Sequence, residues 1–408
     1  MTEFETLWSE IAGIGRVGRL GGYRRFAWTE PDLVLRQWFV DCADRRGMST
    51  EQDRNGNLWA WWFPPGWAGD PRDAFVTGSH LDSVPDGGAF DGPLGVVSAF
   101  AAVAQLQEAG FEPRTPIGVV AFSDEEGARF GVACVGSQLS TGALAPERAL
   151  GLRDSDGRTL AEVLEAAGRD PRSVGQDRRL RDRVGVFVEL HVEQGRALDL
   201  LDRPLAVASS IWPHGRWRLS FTGQANHAGA TRMVDRRDPM LAYAASVASA
   251  RSRAVQHGCV ATFGKLTVQP NGANAIASSV ESWLDARAGS QNALDLLTRE
   301  IFTDAAEHAA AEGVQLQVSA ESESPIVEFP RALRDRIARA LTAFGEVPVL
   351  ESAAGHDAGV LSAVVPSAMV FVRNPTGVSH SPDEHAEPSD CRLGVAALAA
   401  LMKEWAAA

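Results

Sequence analysis

The sequence has few cysteines, no excess of positive charge and no long apolar run, and each lack excludes a class of protein. The four cysteines are far apart and form no CxxC pair, so we expect reduced, mostly buried thiols and no disulfide framework. Lys+Arg 39 against Asp+Glu 52 gives a net charge of -13, which argues against a nucleic-acid or anionic-membrane partner. An acidic chain can still bind an anionic substrate through a local arginine.

The N-terminus and the apolar runs predict a cytoplasmic protein. The first residues, MTEFETLWSEIAGIG, carry acidic groups early and have no basic region ahead of an apolar stretch, unlike a signal peptide. The longest apolar runs, such as GVVSAFAAVAQL after Pro93, are too short to span a membrane. We therefore expect neither secretion nor membrane insertion.

The order of strand and helix patterns predicts two domains of different class. A chain of 408 residues is too long for one compact core. Strands alternate with helices in the first half, which favours an α/β domain with a mixed, mainly parallel sheet. From about Trp212 the order becomes strand, helix, strand, strand, helix, strand, as in a ferredoxin-like α+β unit. We expect residues 212–323 to form this inserted domain, with 1–211 and 324–408 forming the first.

Metal-binding residue types stand where predicted strands end. Carboxylate oxygen and imidazole nitrogen are preferred ligands of hard and borderline divalent cations. In open α/β sheets, functional groups gather beyond the carboxyl ends of the strands. Five potential ligands and one spare carboxylate at such ends predict a two-metal hydrolase. For any one of them the alternative is a solvated loop residue or a helix cap. The set is His80, Asp91, the adjacent pair Glu125 and Glu126, His191 and His380.

Two further features accompany these residues. Asp82, two residues after His80, is placed to orient an imidazole ring. In the strand VFVELHVE, alternation puts Glu189, His191 and Glu193 on one face, and a metal would explain such a polar face.

The pair Glu125 and Glu126 is hard to explain without a cation. Neighbouring carboxylates repel, so the pair costs stability unless a cation or a proton compensates. One of them can bind metal while the other carries a proton to the leaving group. The alternative is an exposed acidic turn at the start of a helix.

The predicted second domain contributes two candidate substrate residues. His227 lies among small residues in GQANHAGAT, which suggests a loop able to close over a substrate, although a lone histidine is more often structural. Arg287 shares a strand face with Asp285, so it suits either bidentate capture of a substrate carboxylate or an ion pair with that neighbour. Four other histidines have no such setting and are predicted to be non-catalytic: His214, His257, His308 and His385.

The chain resembles the hydantoinase/carbamoylase branch of the di-metal aminoacylase–carboxypeptidase superfamily. The resemblance runs from roughly Arg16 to the C-terminus. This branch contains allantoate amidohydrolases, N-carbamoyl-L-amino-acid amidohydrolases and β-ureidopropionases. The segments that carry the resemblance are GSHLDSVPDGGAFDGPLGV, DEEGARFG, ELHVEQG, ANHAGATRM, AGHDAG and SHSPDEH.

The resemblance implies a fold, a partner and a role for each residue. It implies a di-metal exopeptidase-like catalytic domain and an inserted dimerisation or lid domain, in a homodimer where His227 reaches the partner's active site. It implies that Glu125 is the general base and that Asp91 bridges two divalent ions, Mn²⁺ or Zn²⁺, with Co²⁺ or Ni²⁺ as further candidates. The implied metal ligands are His80, Asp91, Glu126, His191 and His380, and the implied substrate residues are Gln194, His227, Asn274, Arg287 and His356.

The reaction implied is removal of the terminal carbamoyl group from a linear ureide that carries a carboxylate, with release of ammonia and CO2. Allantoate is the first expected substrate, because FVRNPTGVSHSP is similar to sequences of allantoate amidohydrolases. His191, where related peptidases typically use a carboxylate, favours ureide cleavage. The alternatives are an N-carbamoyl-L-amino-acid or β-ureidopropionate amidohydrolase, a dipeptidase or aminoacylase, and a non-catalytic ligand-binding paralogue.

Overall fold

The computed structural model describes residues 1–18, 21–69 and 71–407. The chain divides into two compact units. The first unit consists of Met1–Ser209, Phe329–Leu350 and Gly355–Ala408. The second unit consists of Ser210–Glu328 and Glu351–Ala354. The catalytic and dimerisation roles assigned to the two domains stay predictions.

Thirteen α-helices lie in the described residues. Helix α3 shows how the sequence begins one: Pro93 occupies the first turn, where its missing N–H has no intrahelical partner to lose. The helices are α1 Glu3–Ile11, α2 Glu30–Arg45, α3 Pro93–Glu108, α4 Val135–Thr141, α5 Pro146–Leu150, α6 Leu160–Ala166, α7 Arg179–Arg183, α8 Ala197–Leu201, α9 Pro239–His257, α10 Gln291–Ala311, α11 Arg331–Ala340, α12 Asp357–Leu361 and α13 Pro388–Ala406.

Fifteen strands lie in the same residues. They are β1 Ser49–Gln52, β2 Leu58–Trp62, β3 Phe75–His80, β4 Ile117–Phe122, β5 Val186–Val192, β6 Leu205–Ile211, β7 His214–Thr222, β8 Asn226–His227, β9 Val260–Gln269, β10 Ala275–Ile276, β11 Ser279–Arg287, β12 Gln315–Ser324, β13 Val327–Glu328, β14 Val349–Ser352 and β15 Ser367–Val372.

The sheet of the first unit is mixed. Its strands follow the order β1-β2-β4-β3-β5-β15-β6. The four central strands, β4, β3, β5 and β15, are parallel, whereas β1, β2 and β6 pair antiparallel at the flanks. Every residue of the central strands is buried, as expected of parallel strands covered on both faces. The predicted α/β class with a mixed sheet is confirmed, and its parallel part is the centre.

The main core of the first unit lies between this sheet and five helices. Residues of α1, α2, α3, α11 and α13 pack with residues of the central strands. A smaller apolar cluster joins α4, α5 and α6. Because the four central strands run in one direction, their carboxyl ends lie along one edge of the sheet. This edge carries the candidate site.

The second unit contains a four-stranded antiparallel sheet in the order β12-β7-β11-β9. With α9 and α10 it follows the chain order strand, helix, strand, strand, helix, strand of a ferredoxin-like unit. Alternate residues of β7 and β11 are buried in a core with residues of both helices.

The four cysteines are free thiols, as predicted. Cys42, Cys134 and Cys391 are buried, and Cys259 is partly exposed. None of the described helices has the length and apolar character needed to cross a membrane.

Candidate metal centre

The predicted metal ligands meet at the carboxyl edge of the first unit's sheet. His80 is the last residue of β3, and His191 lies near the end of β5. Glu126 follows β4 in a short loop, Asp91 immediately precedes the turn into α3, and His380 lies between β15 and α13. The site therefore draws one residue or more from the end of each central strand.

One group of potential ligands comprises His80, Asp91 and His191, all of them buried. Both histidines approach the same oxygen of Asp91. His191 Nε2 lies 3.2 Å from Asp91 Oδ1, and His80 Nε2 lies 3.5 Å from it. Ligands on the corners of a tetrahedron about 2.1 Å from a shared ion stand about 3.4 Å apart, so these spacings suit a divalent cation.

A second group comprises Asp91, Glu126 and His380. Here the other oxygen of Asp91 is used: His380 Nε2 lies 3.3 Å from Asp91 Oδ2 and 3.6 Å from Glu126 Oε2. The carboxylate of Asp91 thus offers one oxygen to each group. This is the arrangement expected of a carboxylate that bridges two ions.

The local hydrogen bonds leave ligand atoms unused, which fits a metal site. His191 Nδ1 lies 2.9 Å from the carbonyl of Val192, and since a carbonyl only accepts, Nδ1 carries the proton and Nε2 keeps its lone pair. Among the described residues, His191 Nε2 and Glu126 Oε1 are buried without a hydrogen-bond partner. Buried polar atoms are normally satisfied, so two unpartnered atoms on potential ligands fit residues that hold a cation.

A close backbone approach at Gly92 leaves room for the His80 ring. Gly92 has a φ of +84°, and a Cβ there would lie 2.4 Å from atoms of the His80 imidazole. The loop before α3 therefore needs glycine at this position to bring Asp91 beside His80.

The contacts of Asp82 differ from those predicted. His80 Nδ1 lies 3.2 Å from the main-chain carbonyl of Asp82 and 3.6 Å from its carboxylate. The carboxylate instead accepts the main-chain N–H groups of Glu125 at 3.1 Å and Glu126 at 3.0 Å. Asp82 therefore fixes the position of the acidic pair through its carboxylate and contacts the His80 ring through its main-chain carbonyl.

Glu125 is buried beside the first ligand group and belongs to neither group. Its Oε2 lies 3.8 Å from His80 Nε2, and its Oε1 accepts a hydrogen bond from Cys134 Sγ at 3.2 Å. The alternative of an exposed acidic turn is wrong for Glu125, because main-chain contacts to Asp82 hold the pair inside the protein.

Burial and neighbouring charges shift the pKa values in the site. Burial raises the pKa of Glu125 well above its usual range and that of Glu126 to about 7. Burial also opposes ionisation of Asp91, but its interactions with the three histidines hold the pKa of this carboxyl well below its usual range. Contact with Asp91 raises the pKa of His380 to about 9. Proton transfer is the role predicted for Glu125, and the direction of this pKa shift means that burial favours its protonated form.

The polar side chains on this face of β5 have hydrogen-bond partners as well as the potential metal contacts that were predicted. Glu189 accepts hydrogen bonds from Ser79 Oγ at 2.7 Å and from the main-chain N–H of Ala358 at 2.8 Å. Glu193 accepts the N–H groups of Ala197 and Leu198 at the start of α8. Glu189 also forms a third potential ligand group with His191 and His356, whereas Glu193 belongs to no ligand group among the described residues.

Two predicted substrate residues, Gln194 and His356, lie in the first unit against the ligand groups. Gln194 Nε2 donates to Asp91 Oδ2 at 2.6 Å and lies 3.3 Å from His380 Nε2. The His356 ring is buried with its centroid 4.5 Å from that of His191. Both side chains therefore touch ligands, and their contact with substrate stays a prediction.

His227 and Asn274 lie together in the second unit. Strands β8 and β10 pair His227 with Ala275, and the carbonyl of Asn274 accepts the N–H of Ala228. His227 Nδ1 accepts the main-chain N–H groups of Gly229 and Ala230, at 3.0 Å and 3.1 Å. In the neutral ring the proton is therefore on Nε2, which makes the exposed imidazole a hydrogen-bond donor.

Arg287 forms the ion pair that was the alternative to carboxylate capture. Its Nε and Nη2 donate to the two oxygens of Asp285 at 2.8 Å and 3.2 Å, and its Nη1 donates to the carbonyl of Ala353 at 2.7 Å. One N–H on each terminal nitrogen stays outside these bonds. Of the other histidines of this unit, His214 contacts the Trp212 carbonyl and His257 contacts Glu300, whereas His308 Nε2 is buried without a hydrogen-bond partner in the described residues.

The structure also brings in residues that the sequence interpretation did not single out. Cys134 donates to Glu125, and Ser379 and Glu384 contact the loop that carries Asp91. For Glu384 a signal was present, since it lies in the same SHSPDEH segment as His380. For Cys134 the sequence offers only a cysteine nine residues after Glu125, which is no signal by itself.

Comparison with known proteins identifies the family. The sequence pattern of peptidase family M20/M25/M40 matches residues 76–404. An N-carbamoyl-L-amino acid amidohydrolase of Geobacillus stearothermophilus is 37% identical over 404 residues, covering 98% of this chain and 97% of that protein. An allantoate amidohydrolase of Bacillus subtilis is 33% identical, covering 81% of each.

A solved structure supports the same family. A crystal structure of a hydantoinase/carbamoylase family amidase from Burkholderia vietnamiensis has a TM-score of 0.88 and 30% identity, covering 99% of this chain and 97% of that one. The chain therefore belongs to peptidase family M20/M25/M40 and, within it, to the hydantoinase/carbamoylase amidases, which makes it a hydrolase of carbon–nitrogen bonds other than peptide bonds.

Proposed function

We propose that this protein removes the terminal carbamoyl group from a linear ureide that carries a carboxylate. The observation that carries the proposal is the carboxylate of Asp91, which offers one oxygen to each of two ligand groups beside the buried Glu125. Allantoate is the first candidate substrate. N-carbamoyl-L-amino acids are the second, because the Geobacillus relative with that name has the higher identity and coverage of the two reported above.

Each of the two ligand groups that include Asp91 is proposed to hold one divalent ion. Mn²⁺ and Zn²⁺ are the first candidates, and Co²⁺ or Ni²⁺ also suit these nitrogen and oxygen ligands. When bound, such ions polarise a substrate carbonyl and activate water. His80, His191, Glu126 and His380 would serve as terminal ligands, with Asp91 shared between the ions.

The chain's own residues would carry the proton. Glu125 would accept a proton from the attacking water and donate it to the nitrogen that leaves as the C–N bond breaks. Its burial, and its distance of 3.8 Å from His80 Nε2, support this role, because Glu125 lies next to a proposed ligand and belongs to neither of the two ligand groups that share Asp91. The products of this step would be the amine R–NH2 and carbamic acid, and carbamic acid then decomposes to ammonia and CO2.

Residues of the second unit are proposed to recognise the substrate. His227 would stabilise the developing negative charge on the carbonyl oxygen through its Nε2–H, because Nδ1 is occupied as an acceptor. Asn274 and Arg287 would hold the substrate carboxylate. Gln194 and His356 of the first unit are the other residues proposed to contact substrate. In this proposal the protein is a homodimer, and His227 acts on the active site of the partner subunit.

Substrate identity can be tested directly. Protein loaded with Mn²⁺ is offered allantoate, several N-carbamoyl-L-amino acids, dipeptides and N-acyl amino acids, and the organic products are identified by mass spectrometry. We expect turnover of a carbamoyl substrate, with a ureidoglycine-type product from allantoate or a free amino acid from its carbamoyl derivative. Turnover of dipeptides or N-acyl amino acids alone would contradict the proposal.

Replacing Arg287 with alanine should raise KM for carboxylate substrates. A charge-assisted hydrogen bond contributes about 1.5–3 kcal/mol, so we expect kcat/KM to fall by about 10 to 150-fold. Steady-state kinetics would measure this, with Arg218→Ala as the control, because Arg218 is an exposed arginine of the same sheet. An Arg287→Ala enzyme that matches the control would show that the guanidinium serves only its ion pair with Asp285.

A further inference from the structure

Glu384 is a buried carboxylate that no proposed step uses. It lies four residues after His380, in the segment between β15 and α13, and is only 5% exposed. A buried carboxylate is costly unless several donors satisfy it. Its partners therefore indicate what it does.

The partners of Glu384 belong to the segments that carry two of the proposed ligands. Its Oε1 accepts the main-chain N–H groups of Phe90 at 2.8 Å and Asp91 at 2.9 Å. Its Oε2 accepts the hydroxyl of Ser379 at 2.9 Å, and Ser379 immediately precedes His380. A single side chain thus connects the backbone at Asp91 with the backbone next to His380.

Ser379 extends the connection to the side chain of Asp91. Its Oγ lies 3.2 Å from Asp91 Oδ2, the oxygen that faces His380. Since the hydroxyl has one proton, it donates to Glu384 or to Asp91 at any moment. Gln194 Nε2, 3.3 Å from Ser379 Oγ and 2.6 Å from Asp91 Oδ2, completes the network.

The loop beside Glu384 is shaped around it. A Cβ on Gly88 would lie 2.4 Å from Glu384 Oε1 and 2.5 Å from Glu384 Cβ. Only glycine at this position lets the loop pack against the carboxylate. The contact offers a second way to disturb Glu384, without deleting it.

We infer that Glu384 is a positioning residue, which fixes Asp91 relative to His380 and so sets the affinity of the ion held by Asp91, Glu126 and His380. The inference rests on the proposed function, because it assumes that these residues bind metal. Outer partners of metal ligands typically change metal affinity by about 10 to 100-fold, and the same range is expected here.

The test measures ion binding directly. Chelator-treated protein is titrated with Mn²⁺ by calorimetry, and bound ions are counted by mass spectrometry after dialysis. In Glu384→Ala and in Gly88→Ala we expect the affinity for one ion to fall by about 10 to 100-fold, with the other ion affected less. Asp383→Asn, an exposed neighbour, is the control and should bind as the wild type does.

Glutamine at position 384 separates positioning from charge. Its amide oxygen can still accept the N–H groups of Phe90 and Asp91, and its amide nitrogen can donate to Ser379. We expect Glu384→Gln to bind both ions within about threefold of the wild type, which a role based only on negative charge would not allow. Affinity as poor as that of Glu384→Ala would overturn the positioning role.

The remaining outcomes are also decisive. Wild-type affinities for both ions in Glu384→Ala would overturn the inference while leaving the proposed function intact. If Glu384→Ala does not fold, Gly88→Ala and Ser379→Ala decide in its place, because each disturbs the network with Glu384 still present. Wild-type protein that binds no divalent ion would instead refute the proposed function itself.

Discussion

Replacing Glu125 with glutamine should leave both ions bound and reduce kcat by about 10³-fold. General acid–base catalysis contributes about 10² to 10⁴-fold, and glutamine keeps the shape of the side chain but cannot carry the proton. The ions should stay because Glu125 belongs to neither ligand group. The measurements are kcat on the best carbamoyl substrate and the ion content of the same preparation.

Two results would contradict the role proposed for Glu125. Full activity in ion-loaded Glu125→Gln protein would remove Glu125 from the proton transfer. Loss of an ion would show that Glu125 acts as a ligand, contrary to the proposed division of roles in the acidic pair. Glu112→Gln, an exposed glutamate of the first unit, is the matched control and should behave as the wild type does.

Replacing Asp91 with alanine should have the larger effect, because both ligand groups include this carboxylate. We expect the ion content to fall from two per subunit to nearly none. We also expect kcat/KM to fall by about 10⁴-fold, because metal ions stabilise the transition state by several kcal/mol. His380→Ala should remove one ion only, because His380 belongs to a single group.

Ion counting after dialysis distinguishes these variants. His257→Ala serves as the control, because this histidine pairs with Glu300 in the second unit and belongs to none of the ligand groups. If Asp91→Ala retains one tightly bound ion, the carboxylate is a terminal ligand of one group and does not bridge. If His380→Ala loses both ions, the two groups are not separate sites.

The gathering of the proposed ligands was predictable because it depends on local patterns. Apolar runs that end at His80 and at Glu125 indicate buried strands, and parallel strands place their carboxyl ends along one edge. Likewise, alternation predicted that Asp285 and Arg287 share one face of their strand, and in β11 the alternate residues of the other face are buried. Both signals can be read from short stretches of neighbouring residues.

What the sequence did not predict depends on distant pairings. Glu384 and Asp91 are separated by 293 positions, and no local period relates them. The antiparallel pairing at the flanks of the sheet was not predicted for the same reason. The sequence of β2 or β6 does not specify the direction of the strand that pairs with it. Arg287 left two outcomes open, since the same strand face that suits a substrate carboxylate also places Asp285 within reach.

The place of β15 in the sheet has a consequence for how the chain folds. This strand, Ser367–Val372, lies between β5 and β6, which precede it by more than 150 residues. During synthesis the facing edges of β5 and β6 stay unpaired until Ser367–Val372 has emerged. Unpaired edges bind other strands, and pairings between distant segments form slowly. The nascent protein therefore passes through a long interval of vulnerability to aggregation, and the metal centre can be completed only at the end of it.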